Sequence, residues 1–144
     1  MIPGLLLPEL AFSVYGLPIT QGSKKGYNQG GRVQIVDANA PKLKPWRAQV
    51  TAAAKEAATR YPLFTGALIV GLRFDLFKPP TVTREYPHVR GTGDIDKLVR
   101  SILDSLTDAG IYADDAAVTD LGPCSKRYGR PGVHITVNQQ VPGQ

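Results

Sequence analysis

Apolar residues recur along the chain at two periods. Leu68, Val70, Leu72, Phe74 and Leu76 alternate strictly, which predicts a strand over 67–77, opened by Gly66 and ended by Lys78-Pro79-Pro80. Val133, Ile135 and Val137 alternate in the same way and predict a last strand, with His134 on its other face. Residues 11–17 read as a first strand stopped by Gly16 and Pro18, and Val33 to Val36 as a short returning one. The helical period appears twice. Trp46, Val50, Ala53, Ala54 and Ala57 form one stripe, predicting a helix over 46–60 with Pro45 at its first position. Val99, Ile102, Leu103 and Leu106 form the second, in a helix starting near Asp94 and closed by Gly110. Residues 116–121 open a further strand. Strand, strand, helix, strand, helix, strand, strand is the order of an α+β domain in which two main helices pack on a mixed, largely antiparallel sheet.

Between these elements lie polar, cationic stretches. Residues 21–32 are rich in Gly, Ser and Asn and carry Lys24, Lys25, Tyr27 and Arg32, a loop suited to phosphates and to stacking on an unpaired base. Residues 81–93 hold Arg84, His88 and Arg90, and a third patch holds Lys126, Arg127 and Arg130 before a turn at Gly129 and Pro131. For residues 21–32 taken alone, a solvated hairpin tip is an equally good account.

Composition narrows the class. A chain of 144 residues fits one domain over 1–144, with enough length to bury a core. Seventeen Lys+Arg against 12 Asp+Glu give a formal charge of +5, and the acids concentrate between Asp94 and Asp120. The remainder is correspondingly basic, as a partner of a polyanion would be. The single Cys124 excludes an internal disulfide framework and a cysteine zinc site, which fits a reducing cytoplasm. The start of the chain is broken by Pro3 and Pro8 and reads as neither signal peptide nor membrane anchor.

The acidic stretch carries the chemistry. Asp96, Arg100 and Asp104 are spaced i, i+4, i+8 and share one flank of the second helix, with Asp94 at its start and Asp114-Asp115 just beyond its end. Carboxylates held close together repel and raise one another's pKa unless a cation intervenes. An oxygen-only donor set suits Mg²⁺ or Mn²⁺, and with such an ion the natural chemistry is phosphodiester hydrolysis. Folding offers its own account: Asp94 and Asp96 at a helix N-terminus, Asp114-Asp115 in a turn. Taken singly, these residues leave both readings open.

The run Asp94-x-Asp96-x-Leu98-x-Arg100-x-x-Leu103-Asp104-x-Leu106, followed by Asp114-Asp115-x-x-Val118, resembles the pattern D-x-D-N-L-x-K-x-x-x-D-x-L … D-D-x-x-V of the RusA family of Holliday-junction resolvases. Gly16-Leu17-Pro18 before a basic loop is similar to that family's opening. The resemblance implies a structure-selective, Mg²⁺-dependent endodeoxyribonuclease (Mn²⁺ as an alternative ion). It implies a homodimer that nicks symmetric strands of a four-way junction in recombination and repair. Carried onto matching positions, it makes Asp94, Asp96 and Asp115 metal ligands and gives Arg100 a catalytic role. Asp104 and Asp114 follow as supporting acids, and Lys24, Lys25, Arg32, Arg84, Arg90, Lys126 and Arg127 as DNA contacts. Two positions depart from the pattern: Lys97 stands for Asn, and Arg100 for a Lys. Arginine keeps the charge and grips phosphate in a fork, but does not give up its proton. A non-catalytic branched-DNA-binding protein on the same fold, and a nuclease for flaps and forks, are the rival expectations.

Overall fold

Strand β4, Leu68–Leu76, is the central element. The computed structural model describes residues 9–22, 24–29, 32–37, 40–60 and 64–141, with side chains within 9–22, 41–60 and 64–141. The other elements are β1 (Glu9–Tyr15), β2 (Lys24–Gln29), β3 (Arg32–Asp37), α1 (Ala40–Ala58), α2 (Ile95–Asp108), a single 3-10 turn (Asp115–Ala117), β5 (Val118–Tyr128) and β6 (Gly132–Gln139). Four strands make one sheet in the order β1-β6-β4-β5, and β2 and β3 form a separate antiparallel ribbon. β1 and β4 pair antiparallel with β6, whereas β4 and β5 run parallel. The α+β, mixed and mainly antiparallel architecture is the one the residue periods predict.

The helices cover one sheet face. Leu10 and Val14 of β1, Leu68 to Phe74 at alternate positions of β4, and Val133, Ile135 and Val137 of β6 meet Leu43, Trp46, Val50 and Ala54 of α1 and Leu98, Ile102 and Leu106 of α2. A parallel pair cannot be joined by a tight turn, and α2 is the crossover that links β4 to β5. Ser101 and Ser105 are fully buried within α2, yet their hydroxyls donate to the carbonyls of Leu98 and Ser101, so neither hydroxyl is stranded. Small alanines of α1 and these serines let the two helices sit close together.

Three boundaries differ from expectation. α1 begins at Ala40, ahead of Trp46, and contains Pro45. Leu43, buried one turn before Trp46, extends the apolar stripe backwards, and its burial offsets the single backbone bond that Pro45 forgoes. The stretch 21–32, expected as a loop, contains β2, registered with β3 from Lys24↔Asp37 to Gln29↔Arg32. β5 runs through Lys126 and Arg127 to Tyr128, so the third basic patch is strand rather than loop. Its Pro123 is tolerated because β5 is an edge strand.

The opposite sheet face is stitched by a polar chain across three strands. The Asp75 carboxylate, 7% exposed, accepts from His134 Nε2 at 3.0 Å and from Arg73 Nη2 at 3.2 Å. A carboxylate acceptor fixes the imidazole proton on Nε2, leaving Nδ1 to accept from Ser13 Oγ at 2.6 Å. Tyr15 packs edge-on to the ring, and Arg130 stacks on Tyr15 at 3.7 Å. His134→Ala strips the buried carboxylate of its best partner, so urea unfolding is expected to show a loss of about 1–3 kcal/mol. Arg73→Ala, which removes an exposed partner, is expected to cost less than about 1 kcal/mol.

Candidate active site

The site is built around α2 and the turn that follows it. Gly110, at φ +78°, ends the helix in the left-handed region. Its N–H donates to Thr107 O and that of Ile111 to Leu106 O, the paired bonds of a Schellman motif. The chain is thereby folded back along the helix, burying Ile111 and Tyr112. Tyr112 donates its hydroxyl to Leu103 O at 2.9 Å and so pins the returning segment to the helix flank. Burial pushes the Tyr112 phenol up to about 12, a hydrogen bond with Thr107 opposes the shift, and the charges of Asp115, Asp104 and Asp114 add to it. That phenol sits within electrostatic reach of all three carboxylates.

One open cavity of about 750 Å³ gathers Asp96, Arg100, Asp104 and Asp115, together with Gln21, Gly22, Leu43, Arg47, Val99 and Leu103. The i, i+4, i+8 set of α2 therefore does share a flank, and Asp115 from the returning turn faces the same space. Asp104 is held by Gln21, whose Nε2 donates to Oδ2. The Gln21 backbone N–H also donates to Lys97 O, tying the segment after β1 to the first turn of α2. Gly22 lies against Arg100: a Cβ at this position, whose φ is +103°, would come within 3.0 Å of Nη1. Glycine thus permits both the turn and the close approach of the guanidinium.

The Asp114-Asp115 pair is divided in role. Asp114 accepts the Ala116 N–H at 2.8 Å and caps the 3-10 turn, a bond that holds its carboxyl below the usual range with help from Asp115. Asp115 moves the other way. The hydrogen bond with Asp114 raises it most, followed by desolvation and by repulsion from Asp114 and Asp104. Such repulsion is relieved by a cation, and carboxylate oxygens are the donors a hard divalent ion takes.

Asp94 stands apart. It occupies the N-cap of α2 but makes no side-chain cap bond, and it does not line the cavity. Its carboxylate pairs with Lys97 at 3.4 Å and is 71% exposed. A surface pair of this kind is worth at most about 1 kcal/mol and does not fix the side chain. Among the described residues no three Asp, Glu, His or Cys side chains stand close enough together to hold an ion. Along α2 alone, the eight steps from Asp96 to Asp104 span about 12 Å at 1.5 Å per residue, too far for one ion to bridge.

The expected DNA contacts separate into groups. Arg84 and Arg90 line a second cavity on the other side of the α2 N-terminus. Lys126 donates to Thr92 Oγ1 at 3.1 Å and to Gly93 O at 2.7 Å, bracing the loop that enters α2. Arg127 is exposed and registered with Asp75. The side chains of Lys24, Lys25 and Arg32 lie outside the described residues. Sequence reasoning missed Gln21 and Arg47 as members of the acidic cavity. Arg47, which is not part of the apolar stripe of α1, lines the cavity while its Nη2 donates to Asp108 at 2.6 Å. Its i+4 spacing from Leu43 was the available signal, and for Gln21 there was none beyond its place after Pro18.

No described helix is long and apolar enough to cross a membrane. A comparison with curated proteins gives no match. The family model for endodeoxyribonuclease RusA matches residues 16–138, a span that begins directly after β1 and takes in both helices, the acidic cavity and most of β6. With that coverage, this chain belongs to the RusA family of endodeoxyribonucleases.

Proposed function

We propose that the protein is a divalent-cation-dependent resolvase that cuts four-way DNA junctions as a homodimer, a single nuclease unit acting in the cytoplasm. The observation that carries this reading is the meeting of Asp96, Asp104, Asp115 and Arg100 on one cavity in a chain of this family. Asp96 and Asp115 would hold the ion, with Asp94 joining them from the loosely paired helix start. When bound, Mg²⁺ supplies Lewis acidity toward the phosphate. The rest is work for the chain's own groups. Arg100 neutralises a non-bridging phosphate oxygen. Asp104, oriented by Gln21, accepts a hydrogen bond from the attacking water. The excess of Lys and Arg outside the acidic stretch draws the polyanion towards an otherwise repulsive pocket. Two such cavities in a dimer would cut two opposed strands symmetrically.

A labelled mobile junction, a flapped duplex and a linear duplex, each incubated with and without Mg²⁺, test the reading. Expected is ion-dependent, paired nicking of the junction and little cutting of the linear duplex. Failure to cut any branched DNA with Mg²⁺ or Mn²⁺ would leave a binding protein on a nuclease fold. Equal cutting of flap and junction would leave a broader nuclease.

A further inference from the structure

A second cavity, of about 470 Å³, opens on the far side of the α2 N-terminus and, among the described residues, shares no lining residue with the acidic one. Its charge is of the opposite sign. Lys42, Arg84 and Arg90 line it, and among the described residues no carboxylate does. Its walls include Tyr128 and two apolar side chains that water would otherwise meet, Leu17 at 55% and Phe77 at 58% exposure. The Tyr128 ring is itself flanked by cations, with Lys78 Nζ and Arg84 Cζ each 5.7 Å from its centre. Two polar atoms of the lining side chains, Arg84 Nε and Tyr128 Oη, are buried with no hydrogen-bond partner among the described residues. Buried polar atoms left without partners in a folded protein call for an explanation, and a missing ligand is one of the few available.

The volume is that of a small-ligand site. Cations without acids select an anion, an aromatic and apolar wall selects a flat ring, and orphaned donors select a group rich in acceptors. A nucleotide offers all three. We propose that this cavity takes one unpaired nucleotide of the DNA strand being cut, its phosphate on Arg84 and Arg90 and its base against Phe77 and Tyr128. A base still paired within a duplex cannot enter a concave cavity, whereas one released at a branch point enters at little cost. The cavity lies beside the acidic one: Thr20 lines the former and Gln21 the latter, as do Leu98 and Val99 of α2. A strand crossing the first turn of α2 therefore presents neighbouring nucleotides to both. The subsite would turn general affinity for phosphate into a preference for branched DNA. The inference rests on the reading of the acidic cavity as the cleavage site.

Binding is measured by anisotropy without divalent ions, using a four-way junction with 2-aminopurine at the branch point and a linear duplex of the same sequence. Wild-type protein is expected to change the 2-aminopurine emission. Arg84→Gln, which removes a phosphate contact, and Tyr128→Phe, which removes the unpartnered hydroxyl and keeps the ring, are each expected to weaken junction binding about tenfold and duplex binding less than about threefold, in line with the loss of one hydrogen bond to a charged group. If Arg84→Gln does not fold, Tyr128→Phe, which removes a single oxygen, decides alone. Equal weakening of both DNAs, or an emission change that the variants leave intact, would overturn the subsite while cleavage at the acidic cavity could still be found. A junction preference that depends on Arg84 and Tyr128, in a protein that cuts nothing, would support the subsite and overturn the nuclease reading.

Discussion

Asp96→Asn is expected to lower junction cleavage by at least about 10³-fold while the protein still binds the junction. Asparagine keeps the size and one oxygen of the side chain but removes the charge that an ion requires of its ligand. Asp96 is exposed, so the change leaves the core of α2 untouched. Junction affinity is expected to stay level or rise, because one negative charge leaves a cavity that must admit phosphate. A gel-shift titration beside a cleavage time course reads both quantities on one preparation. Asp115→Asn is expected to behave alike. Asp114→Asn should instead loosen the cap on Ala116 and cost far less activity. Asp94 supplies the most informative comparison, since its carboxylate is not among the described lining of the cavity and pairs with Lys97. If Asp94→Asn is as inactive as Asp96→Asn, the helix start closes on the site when ion and DNA bind. Normal activity in Asp94→Asn would leave Asp96 and Asp115 to act without it. Unimpaired cleavage by Asp96→Asn would sink the assignment of the site.

Much of this arrangement is legible in the sequence because it depends on short-range periodicity. The alternation in β4 and β6 and the stripe of α2 follow from which side chains must be buried, and the structure buries them. The i, i+4, i+8 spacing fixes Asp96, Arg100 and Asp104 on one flank of α2 wherever that helix packs. What the sequence does not disclose depends on contacts between distant segments. The parallel pairing of β4 with β5 follows from how α2 crosses over, and no local pattern encodes it. Gln21 enters the site through a backbone bond to Lys97, a partner far along the chain. The start of α1 was misplaced for a different reason. Pro45 is a strong local signal for a first helical position, and burial of Leu43 overrides it. Lys126 shows the same limit from the opposite side: a cation in a basic patch reads as a DNA contact, yet its ammonium is bonded to Thr92 and Gly93.

Arg100→Ala is expected to reduce the cleavage rate by about 10²–10³-fold, the usual cost of removing one charged donor from a developing phosphate charge. Arg100→Lys is the sharper test, because the family pattern carries lysine at this position. If the basic group serves only to neutralise the phosphate, lysine restores the charge, and the rate is expected to stay within about tenfold of wild type. The shortfall comes from exchanging a planar fork for a point charge. Shape does not stand in the way, since Gly22 has no Cβ where the guanidinium now sits 3.0 Å from the projected position of one. A lysine that donated a proton would behave differently. Its rate would exceed wild type, and a new alkaline limb would enter the pH–rate profile as the ammonium titrates, a limb that arginine cannot produce in the accessible range. Profiles of the two proteins that differ in height but share one shape would mean that this chain needs only the charge. The proton for the leaving oxygen must then come from water or from a carboxyl in the same cavity.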